Sequence, residues 1–360
     1  MIRTAIFLLV LCLLAACSTQ MPVDSGGAPL FIDRRLKNIT QLTFDGDNGE
    51  AYFSSDGKKL IYQSNHADGR DFACDKIMVM NIDGSGKRMV SPGHGAHTCS
   101  YFFPDGRIVF ASTSHLPGDC PLRPKTPPGA RYVWPLYPYD IFIATADGSD
   151  LKKITDNPKY DAEPIVSPDG QQIVFGSQRE NDFDIYSMNA DGAKVRRLTN
   201  RIGYDGGPWF SPDGTKIVWR AWYPETDEEK AQWKDAMEND YIIAVPLDLW
   251  IMDADGANKK RLTNNGATNW APSWHRDGKH ILFSSNKDDW QEDLKTFGHN
   301  FEIYLIDLDG TGLERITFNT VFDSFPMFSP DGKKLVWASN RNPQKPRATD
   351  IFIGDWLEQK

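Results

Sequence analysis

An Asp-Gly pair recurs six times along the 360-residue chain, each time between two short apolar runs. The six aspartates are Asp56, Asp105, Asp169, Asp213, Asp277 and Asp331. Three copies read Ser-Pro-Asp-Gly, as at residues 211–214. Proline presets the first turn dihedral and glycine accepts a positive φ, so this sequence between apolar runs predicts a hairpin turn. The chain is therefore predicted to repeat one β-rich unit six times.

A second Asp-Gly follows a strand-like run in five units, at Asp83, Asp147, Asp191, Asp255 and Asp309. A further short run ends in Thr or Ser, so each unit reads as four antiparallel strands. The first turns are 49, 64, 44, 64 and 54 residues apart, and almost all of this variation falls between the second and third strands. A four-stranded sheet repeated with insertions in one loop is typical of a propeller blade. We predict an all-β, six-bladed β-propeller of four-stranded antiparallel blades.

The sixth unit ends without a fourth strand, because the chain stops at Lys360 soon after the third-strand run Ile351-Phe352-Ile353. Residues 36–43, Leu-Lys-Asn-Ile-Thr-Gln-Leu-Thr, have the composition of a fourth strand that lacks its own unit. This N-terminal strand is predicted to join the last blade and close the ring, which would remove an exposed sheet edge.

These motifs resemble the repeat of the TolB-like (Tol-type, WD40-like) β-propeller family, which also occurs in the non-catalytic domains of some serine oligopeptidases. The resemblance covers roughly residues 36–356, where Ser-Pro-Asp-Gly and an Asp-Ile-Tyr-like third strand recur in register. It implies the fold rather than one activity. TolB carries a further domain ahead of its propeller, whereas here a short segment precedes the first strand, so the chain looks like a TolB-family lipoprotein rather than TolB.

The N-terminus has the pattern of a secretory signal: Arg3, an apolar run over residues 5–14, and Leu-Ala-Ala-Cys at residues 14–17. The ending resembles the bacterial lipobox, which implies lipidation of Cys17, and Ser18 implies sorting to the outer membrane, facing the periplasm. The alternative is an ordinary signal cut nearby, with Cys17 as a free thiol. We predict a signal peptide at 1–16, a lipidated cysteine and flexible tether at 17–35, and the propeller at 36–360.

Three cysteines remain in the predicted propeller, Cys74, Cys99 and Cys120. An oxidising periplasm permits one disulfide among them. Cys99 enters the second blade and Cys120 follows its second strand, so we favour a Cys99–Cys120 pair over Cys74–Cys99.

The long insertions are predicted to decorate one face of the propeller, opposite the Asp-Gly turns. The insertion of the second unit, residues 114–139, is rich in proline and aromatic residues. These rings could form a rigid binding shelf or pack as a lid on the channel mouth. The aromatic candidates for binding are Tyr132, Trp134, Tyr137, Tyr139, Trp222 and Tyr223.

The insertion of the fourth unit predicts a short helix, because Thr226 followed by Glu229 reads as a capping box. Trp233 and Met237 are predicted to be buried by it, either as structural cover or for partner recognition. A third insertion, residues 288–293, is acidic and could bind calcium, but it lacks the spacing of an EF-hand and is better explained as solvated charge.

A polar residue lies eight positions before each first-turn aspartate: Asn48, His97, Asp161, Asp205, Asn269 and Asp323. These residues could ring the channel mouth and bind a cation, an amine or a polar peptide end. They could equally cap backbone N–H groups at the strand starts. His94, His97 and Cys99 include zinc-ligand types, but their spacing fits no familiar zinc module, and we predict no metal and no cofactor.

The net charge of −9 and the absence of a basic patch argue against a nucleic-acid partner. No Gly-x-Ser-x-Gly elbow is present, and the chain leaves no room for a hydrolase domain beside the propeller. We therefore expect a monomeric, non-catalytic envelope lipoprotein that binds other envelope proteins and is held to the membrane by its lipid. The alternative is a polysaccharide-binding or lyase-type propeller enzyme that acts at the channel mouth.

Overall fold

The computed structural model describes residues 32–124, 133–293, 296–341 and 348–358. Almost all of the regular structure is antiparallel β-sheet. Within those four ranges, no helix combines the length and the apolar character needed to cross a bilayer.

Four of the repeat units form separate four-stranded sheets. Two strands open the described chain, β1 (Ile32–Asp33) and β2 (Leu36–Gln41). The first unit is β3 (Asn48–Phe53), β4 (Lys59–Ala67), β5 (Arg70–Asn81) and β6 (Arg88–Met89). The second is β7 (His97–Phe102), β8 (Ile108–Ser112), β10 (Asp140–Ala144) and β11 (Lys152–Lys153). The fifth is β21 (Asn269–Trp274), β22 (His280–Ser285), β25 (Glu302–Asp307) and β26 (Glu314–Arg315). The last is β28 (Asp323–Phe328), β29 (Lys334–Ser339), β30 (Asp350–Trp356) and β2.

The third and fourth units share one eight-stranded sheet, so the described residues do not form six separate sheets. The third unit is β12 (Asp161–Val166), β13 (Gln172–Arg179), β14 (Asp182–Asn189) and β15 (Arg196–Arg197). The fourth is β16 (Tyr204–Phe210), β17 (Lys216–Trp222), β19 (Asp248–Asp253) and β20 (Lys260–Arg261). A single parallel bridge between Phe183 and Tyr204 joins them. The sheets lie in a ring, as in a β-propeller.

The N-terminal strand β2 pairs antiparallel with β30, with Leu36 opposite Trp356 and Gln41 opposite Phe352. The Thr43 hydroxyl donates to the buried Asp350 carboxylate at 3.0 Å and accepts from the Ile351 N–H at 2.8 Å. The two ends of the described chain therefore meet in one sheet.

The first turn of each unit depends on its aspartate. In the third unit, Asp169 accepts from the Ser167 hydroxyl at 2.6 Å and from the Gln171 N–H at 3.0 Å. These hydrogen bonds hold the pKa of Asp169 below its ordinary value. Gly170 follows with a φ of +72°, and its N–H donates to the Ser167 carbonyl. The Ser-Pro-Asp-Gly sequence thus makes the predicted hairpin turn.

Within the described residues, six apolar clusters lie between successive units, and each combines residues from two neighbours. Phe103 of the second unit and Phe175 of the third share one cluster. Phe53 of the first unit and Val336 of the last share another. Because the inner strands are covered on both faces, their apolar runs are continuous, as in β8, where every residue is buried.

The insertions of the second and fourth units meet. Strand β9 (Val133–Pro135) pairs antiparallel with β18 (Tyr241–Ile243), and Trp134 lies opposite Ile242. Helix α1 (Asp227–Glu238) precedes β18 and begins with the predicted capping box of Thr226 and Glu229. Its buried residues include Trp233 and Met237, as predicted.

Two shorter strand pairs complete the described structure. The fifth unit's insertion contains β23 (Trp290–Gln291) paired with β24 (Thr296–Phe297). Its Asp288 accepts from the Tyr304 hydroxyl at 2.9 Å and from Arg315 at 3.1 Å. Strand β27 (Thr317–Phe318) pairs with β1.

The predicted Cys99–Cys120 disulfide is wrong, since the structure joins Cys74 to Cys120, with their Cα atoms 5.9 Å apart. Strand β5 begins early, at Arg70, and brings Cys74 beside the insertion that carries Cys120. Cys99 is a buried free thiol at a bulge of β7, close to Glu50, and does not face that insertion.

The disulfide generates a stability prediction. Cys74→Ser and Cys120→Ser should each lower the free energy of unfolding by about 2–4 kcal/mol, because each opens the same 46-residue loop. Urea titration followed by tryptophan fluorescence measures this. Cys99→Ser is the matched control and should keep the disulfide, which non-reducing peptide mapping detects. A loss of the cross-linked peptide in the Cys99→Ser protein would contradict the pairing.

Candidate functional site

A ring of bulges lines the centre of the propeller. The innermost strand of each unit changes register near its start, between Gly49 and Tyr52 in the first unit and between Ala162 and Ile165 in the third. The bulged residue lies six positions before the first-turn aspartate in every unit. The six bulged residues are Glu50, Cys99, Glu163, Gly207, Ala271 and Phe325, and each has a φ between +49° and +59°.

Positive φ is costly for residues with a side chain, so five of the six bulges place strained backbone at the channel. At the sixth position glycine is required for space as well. A Cβ on Gly207 would lie 1.8 Å from Arg220 Nη1. The bulges turn side chains that a regular strand would point elsewhere toward the propeller axis.

The bulged residues and their neighbours line a narrow cavity of about 40 Å³, the channel pocket. Its walls include carboxyl, guanidinium, thiol and indole groups, from Glu50, Cys99, Trp134, Glu163, Arg220 and Trp270. A cavity of this size holds a few water molecules, not a sugar ring. Larger ligands would have to bind at its mouth or move the cover, which is the β9–β18 pair together with helix α1.

A buried ion pair spans the channel pocket between the Arg220 guanidinium of β17 and the Glu163 carboxylate of β12. Arg220 Nε donates to the Tyr204 hydroxyl at 3.1 Å, and the guanidinium lies 3.7 Å from the centre of the Trp270 ring. The Gly207 N–H donates to Glu163 at 2.8 Å. Burial opposes the charge of Arg220, but the charge of Glu163 raises the pKa of the guanidinium above its ordinary value. The guanidinium therefore keeps its charge.

Glu50 differs from Glu163 because no salt bridge to it is found among the described residues. Burial, and then repulsion from Glu163, raise the pKa of Glu50 from 4.5 to about 7, although a hydrogen bond from Cys99 and the charge of Arg220 oppose the shift. Burial and the charge of Glu50 raise the pKa of the Cys99 thiol. Near neutral pH the channel pocket therefore holds one carboxyl group that exchanges its proton and one thiol that keeps it.

The predicted polar ring is buried at the strand starts, two residues before the bulges. Its members hydrogen-bond to nearby protein groups rather than facing an open channel mouth. Asp161 accepts from the Ser177 hydroxyl at 2.5 Å, and Asp323 accepts from Arg341 at 2.9 Å. Asp205 accepts from Trp219 Nε1 at 2.6 Å. Burial raises the pKa of Asp205 to about 7, and burial with the charge of Lys76 lowers that of His97 to about 3. All six are almost inaccessible to solvent: Asn48, His97, Asp161, Asp205, Asn269 and Asp323.

The predicted aromatic residues pack around the cover of the channel. Trp134 is half-buried, and its ring lies 5.4 Å from that of Trp270 in the channel pocket. The remaining rings continue the apolar packing below the β9–β18 pair. Tyr139 is buried, Tyr137 and Trp222 are partly buried against the same cluster, and the Tyr223 hydroxyl donates to Asp205 at 2.7 Å. The structure thus brings most of these residues together as a cover.

Two predicted site residues, Cys17 and Tyr132, lie outside the described residues. The His-rich cluster near the second unit does not converge on one point. His94 Nε2 lies 3.0 Å from the Ser114 carbonyl, His97 Nε2 lies 3.0 Å from the His94 carbonyl, and Cys120 belongs to the disulfide.

Sequence reasoning missed Glu50, Glu163 and Arg220. The positional signal existed, since the bulged residues recur six positions before each first-turn aspartate. Their chemical identities range from glutamate to phenylalanine, so no residue pattern marked the position as one that faces the channel.

Four-stranded antiparallel sheets in a ring around a lined channel define the protein as a β-propeller. Residues 137–233 match the family model described as the TolB beta propeller domain. The chain contains a TolB-like β-propeller.

Curated relatives share a short part of this chain. The Tol-Pal system protein TolB of Francisella tularensis subsp. mediasiatica is 32% identical over 109 residues, which is 29% of this chain and 22% of that protein. The matches thus span roughly a quarter of the length of the first curated relatives.

Two solved structures share the fold over most of the chain. The structure of putative TolB from Agrobacterium tumefaciens superposes with a TM-score of 0.55 and 19% identity, over 89% of this chain and 97% of that one. An oligogalacturonate lyase from Vibrio parahaemolyticus gives a TM-score of 0.53 and 11% identity, over 91% of this chain and 97% of that one. At these identities the likeness concerns the fold alone.

Glu50 makes stability depend on pH. Because its pKa is near 7 in the folded state and 4.5 in the reference state, the folded protein holds a proton that the unfolded chain releases between those values. The free energy of unfolding should therefore fall as pH rises from about 4.5 through 7. Glu50→Gln cannot ionise and should reduce this fall by up to about 3 kcal/mol.

Urea unfolding at pH 5 and pH 8 measures this difference. Glu228→Gln, on the exposed face of α1, is the matched control and should keep the wild-type difference. Equal losses of stability in the wild type and the Glu50→Gln variant would contradict the assignment.

Proposed function

We propose that this protein is a non-catalytic binding propeller of the bacterial envelope, and that it binds another envelope protein through the cover of its channel. The similarity to TolB of the Tol-Pal system supports a protein-interaction role and an envelope location. The kind of partner is inferred from the residues of the cover rather than from that similarity.

One observation carries the proposal: insertions from two different units build a single surface. The β9–β18 pair joins residues more than one hundred positions apart, and it places Trp134 against the channel pocket. Insertions that served only as connectors would have no need to pair with each other. Loops held on a rigid scaffold are common sites of binding.

The chemistry of the cover suits a protein partner. Trp134, Tyr137 and Ile242 are partly buried, so they keep accessible apolar area at the centre of the surface. Charged residues surround them, since Asp227, Glu228 and Lys230 on α1 are exposed. An aromatic centre with a polar rim is the usual anatomy of a protein interface.

We also propose that the eight-stranded sheet counts as two blades, so that the propeller has six blades and β2 closes the ring. Each half of that sheet has the four-strand order of the other units, and one residue pair joins the halves. The apolar cluster between the first and last units supports closure. A closed ring gives the cover a rigid base.

We propose further that residues 1–16 are a signal peptide, that Cys17 carries lipid, and that residues 17–35 tether a monomeric propeller to the outer membrane on its periplasmic side. The Leu-Ala-Ala-Cys sequence and Ser18 support this. Metabolic labelling with a palmitate analogue tests the lipidation. The wild type should be labelled, and Cys17→Ala expressed in the same strain should not.

The binding proposal is tested by site-specific photo-crosslinking in intact cells. A photoreactive residue at position 137, on the cover, should give a discrete protein adduct. The same residue in place of Leu313 should not, although Leu313 is more exposed than Tyr137, because the turn between β25 and β26 lies at the opposite end of the strands. In the protein labelled at position 137, Trp134→Ala should lower the adduct yield at least about tenfold, as expected for an aromatic anchor.

The melting temperature of each variant separates lost binding from lost folding. Ile242→Ser, on the facing strand, provides a second variant that leaves the channel pocket intact. Equal adducts from positions 137 and 313, or an unchanged yield in both folded variants, would contradict binding at the cover.

A polysaccharide lyase is the second candidate, because a carboxyl group with a pKa near 7 beside a guanidinium resembles an acid–base pair poised for neutral pH. Uronate-rich oligosaccharides with a divalent metal would then give an unsaturated product that absorbs in the ultraviolet, and Glu50→Gln would abolish it. The narrow channel pocket makes this candidate weaker than protein binding.

A further inference from the structure

The first turn of the fifth unit departs from the repeat at two positions. A serine begins the turn in four other units, at Ser54, Ser167, Ser211 and Ser329. His275 takes that place in the fifth unit, and His280 stands where the first, fourth and last units have lysine. The sequence becomes His-Arg-Asp-Gly-Lys-His, with Asp277 kept between the two histidines.

The two substitutions bring three ligand atoms together. His275 Nδ1 lies 3.0 Å from Asp277 Oδ2, and His280 Nδ1 lies 2.6 Å from the same oxygen. All three atoms lie within 4.8 Å of one another. The imidazole of His275 is buried, with its ring 4.5 Å from that of Phe328, whereas His280 and Asp277 are partly accessible. Solvent can thus reach the group from one side.

The surrounding hydrogen bonds orient these groups. The Asp277 N–H lies 3.4 Å from His275 Nδ1, a long contact that leaves this nitrogen available to Asp277 Oδ2 or to a metal ion. His280 Nε2 lies 3.0 Å from the Asp307 carboxylate, to which it donates. The second oxygen of Asp277, Oδ1, accepts from the Lys279 N–H at 2.8 Å. Oδ2 is thereby left to the two imidazoles.

Each imidazole Nδ1 can meet the Asp277 oxygen either by donating a proton to it or by sharing a metal ion with it. A metal ion would replace both protons, because deprotonated imidazole nitrogens and a carboxylate oxygen are all metal ligands.

We propose that His275 Nδ1, His280 Nδ1 and Asp277 Oδ2 form a zinc site on the turn face of the fifth unit. Two imidazoles and a carboxylate are ligands that Zn²⁺ prefers, with a fourth position open to water or to a donor from another molecule. Ligand atoms around tetrahedral zinc lie about 3.3 Å apart, given bonds of about 2.0–2.1 Å. His280 Nδ1 and Asp277 Oδ2, the closest pair, would therefore separate by about 0.7 Å, and His275 Nδ1 and Asp277 Oδ2 by about 0.3 Å.

Asp307 completes the site without binding the metal. A carboxylate that accepts from the second nitrogen of a metal-bound histidine fixes the tautomer and orients the ring. The site also adjoins the last unit, because Arg276 Nη1 donates to the Asp331 carbonyl. Zinc bound there would brace the turn at a boundary between units, far from the cover.

Isothermal titration of the purified full-length protein with Zn²⁺ alone tests the proposal. The wild type should bind one zinc ion more than the His275→Ser/His280→Lys variant. That variant restores the residues of the other units, so it should fold, and an unchanged melting temperature in EDTA checks this. Asp307→Asn should weaken binding at the site about 10- to 100-fold.

His66→Gln is the matched control. His66 pairs with one carboxylate, that of Asp71, at 2.7 Å, and its loss should leave zinc binding unchanged. Cobalt substitution supplies a second readout, since a tetrahedral site gives visible absorption that the double variant should lack. Equal zinc stoichiometry and affinity in the wild type and the double variant would overturn the proposal, as would the absence of zinc binding by the wild type.

Discussion

Apolar burial between neighbouring sheets holds this molecule together, because a four-stranded sheet with two apolar faces cannot cover either face by itself. Buried side chains such as Phe175 and Trp219 contribute about 1.5–3 kcal/mol each, more than the net of about 1 kcal/mol for a typical hydrogen bond. Each unit therefore depends on both of its neighbours. The charged groups at the axis are tolerated because this packing fixes the strands around them.

Several features that cost folding free energy are concentrated at the propeller axis. Positive φ at five non-glycine bulges, a desolvated ion pair and a buried carboxyl with a raised pKa all lie at one narrow cavity. Desolvation makes such a pair weak evidence for stability, since an apolar pair often packs as well. Arg220 contacts Glu163, Tyr204 and Trp270, so it connects three units and holds the floor beneath Trp134. The contacts of Arg220 thus fix the positions of the side chains where the cover meets the channel.

Local sequence patterns predicted the local structure well. The Asp-Gly turns, the strands between them, the N-terminal strand and the capping box of α1 each depend on residues a few positions apart, or on one repeated pattern. The disulfide and the channel pocket could not be predicted in this way. Cys74 reaches Cys120 because β5 is longer than the corresponding strands of other units. Glu50 and Glu163 face the channel because the strand changes register at a bulge. The bulge changes the direction of the side chain but leaves no pattern of residue types in the sequence.

The polar residues at the strand starts show the same limit. Their spacing was visible, but whether Asp161 and Asp323 face water or Arg179 and Arg341 depends on side chains about eighteen positions away. The zinc ligands illustrate the reverse case. His275 and His280 lie within six residues, so the departure from the repeat was readable, yet only the folded turn directs their nitrogens at one carboxylate oxygen.

The pairing of β2 with β30 also orders events during synthesis. Residues 36–41 leave the ribosome long before residues 350–356, and contacts of such high sequence separation form slowly. Until the final residues arrive, the nascent chain presents an unmatched strand at one end and an unfinished sheet at the other. A chaperone that binds exposed strand edges would therefore stay bound longest at these two places. It would be released when β30 becomes available to pair with β2.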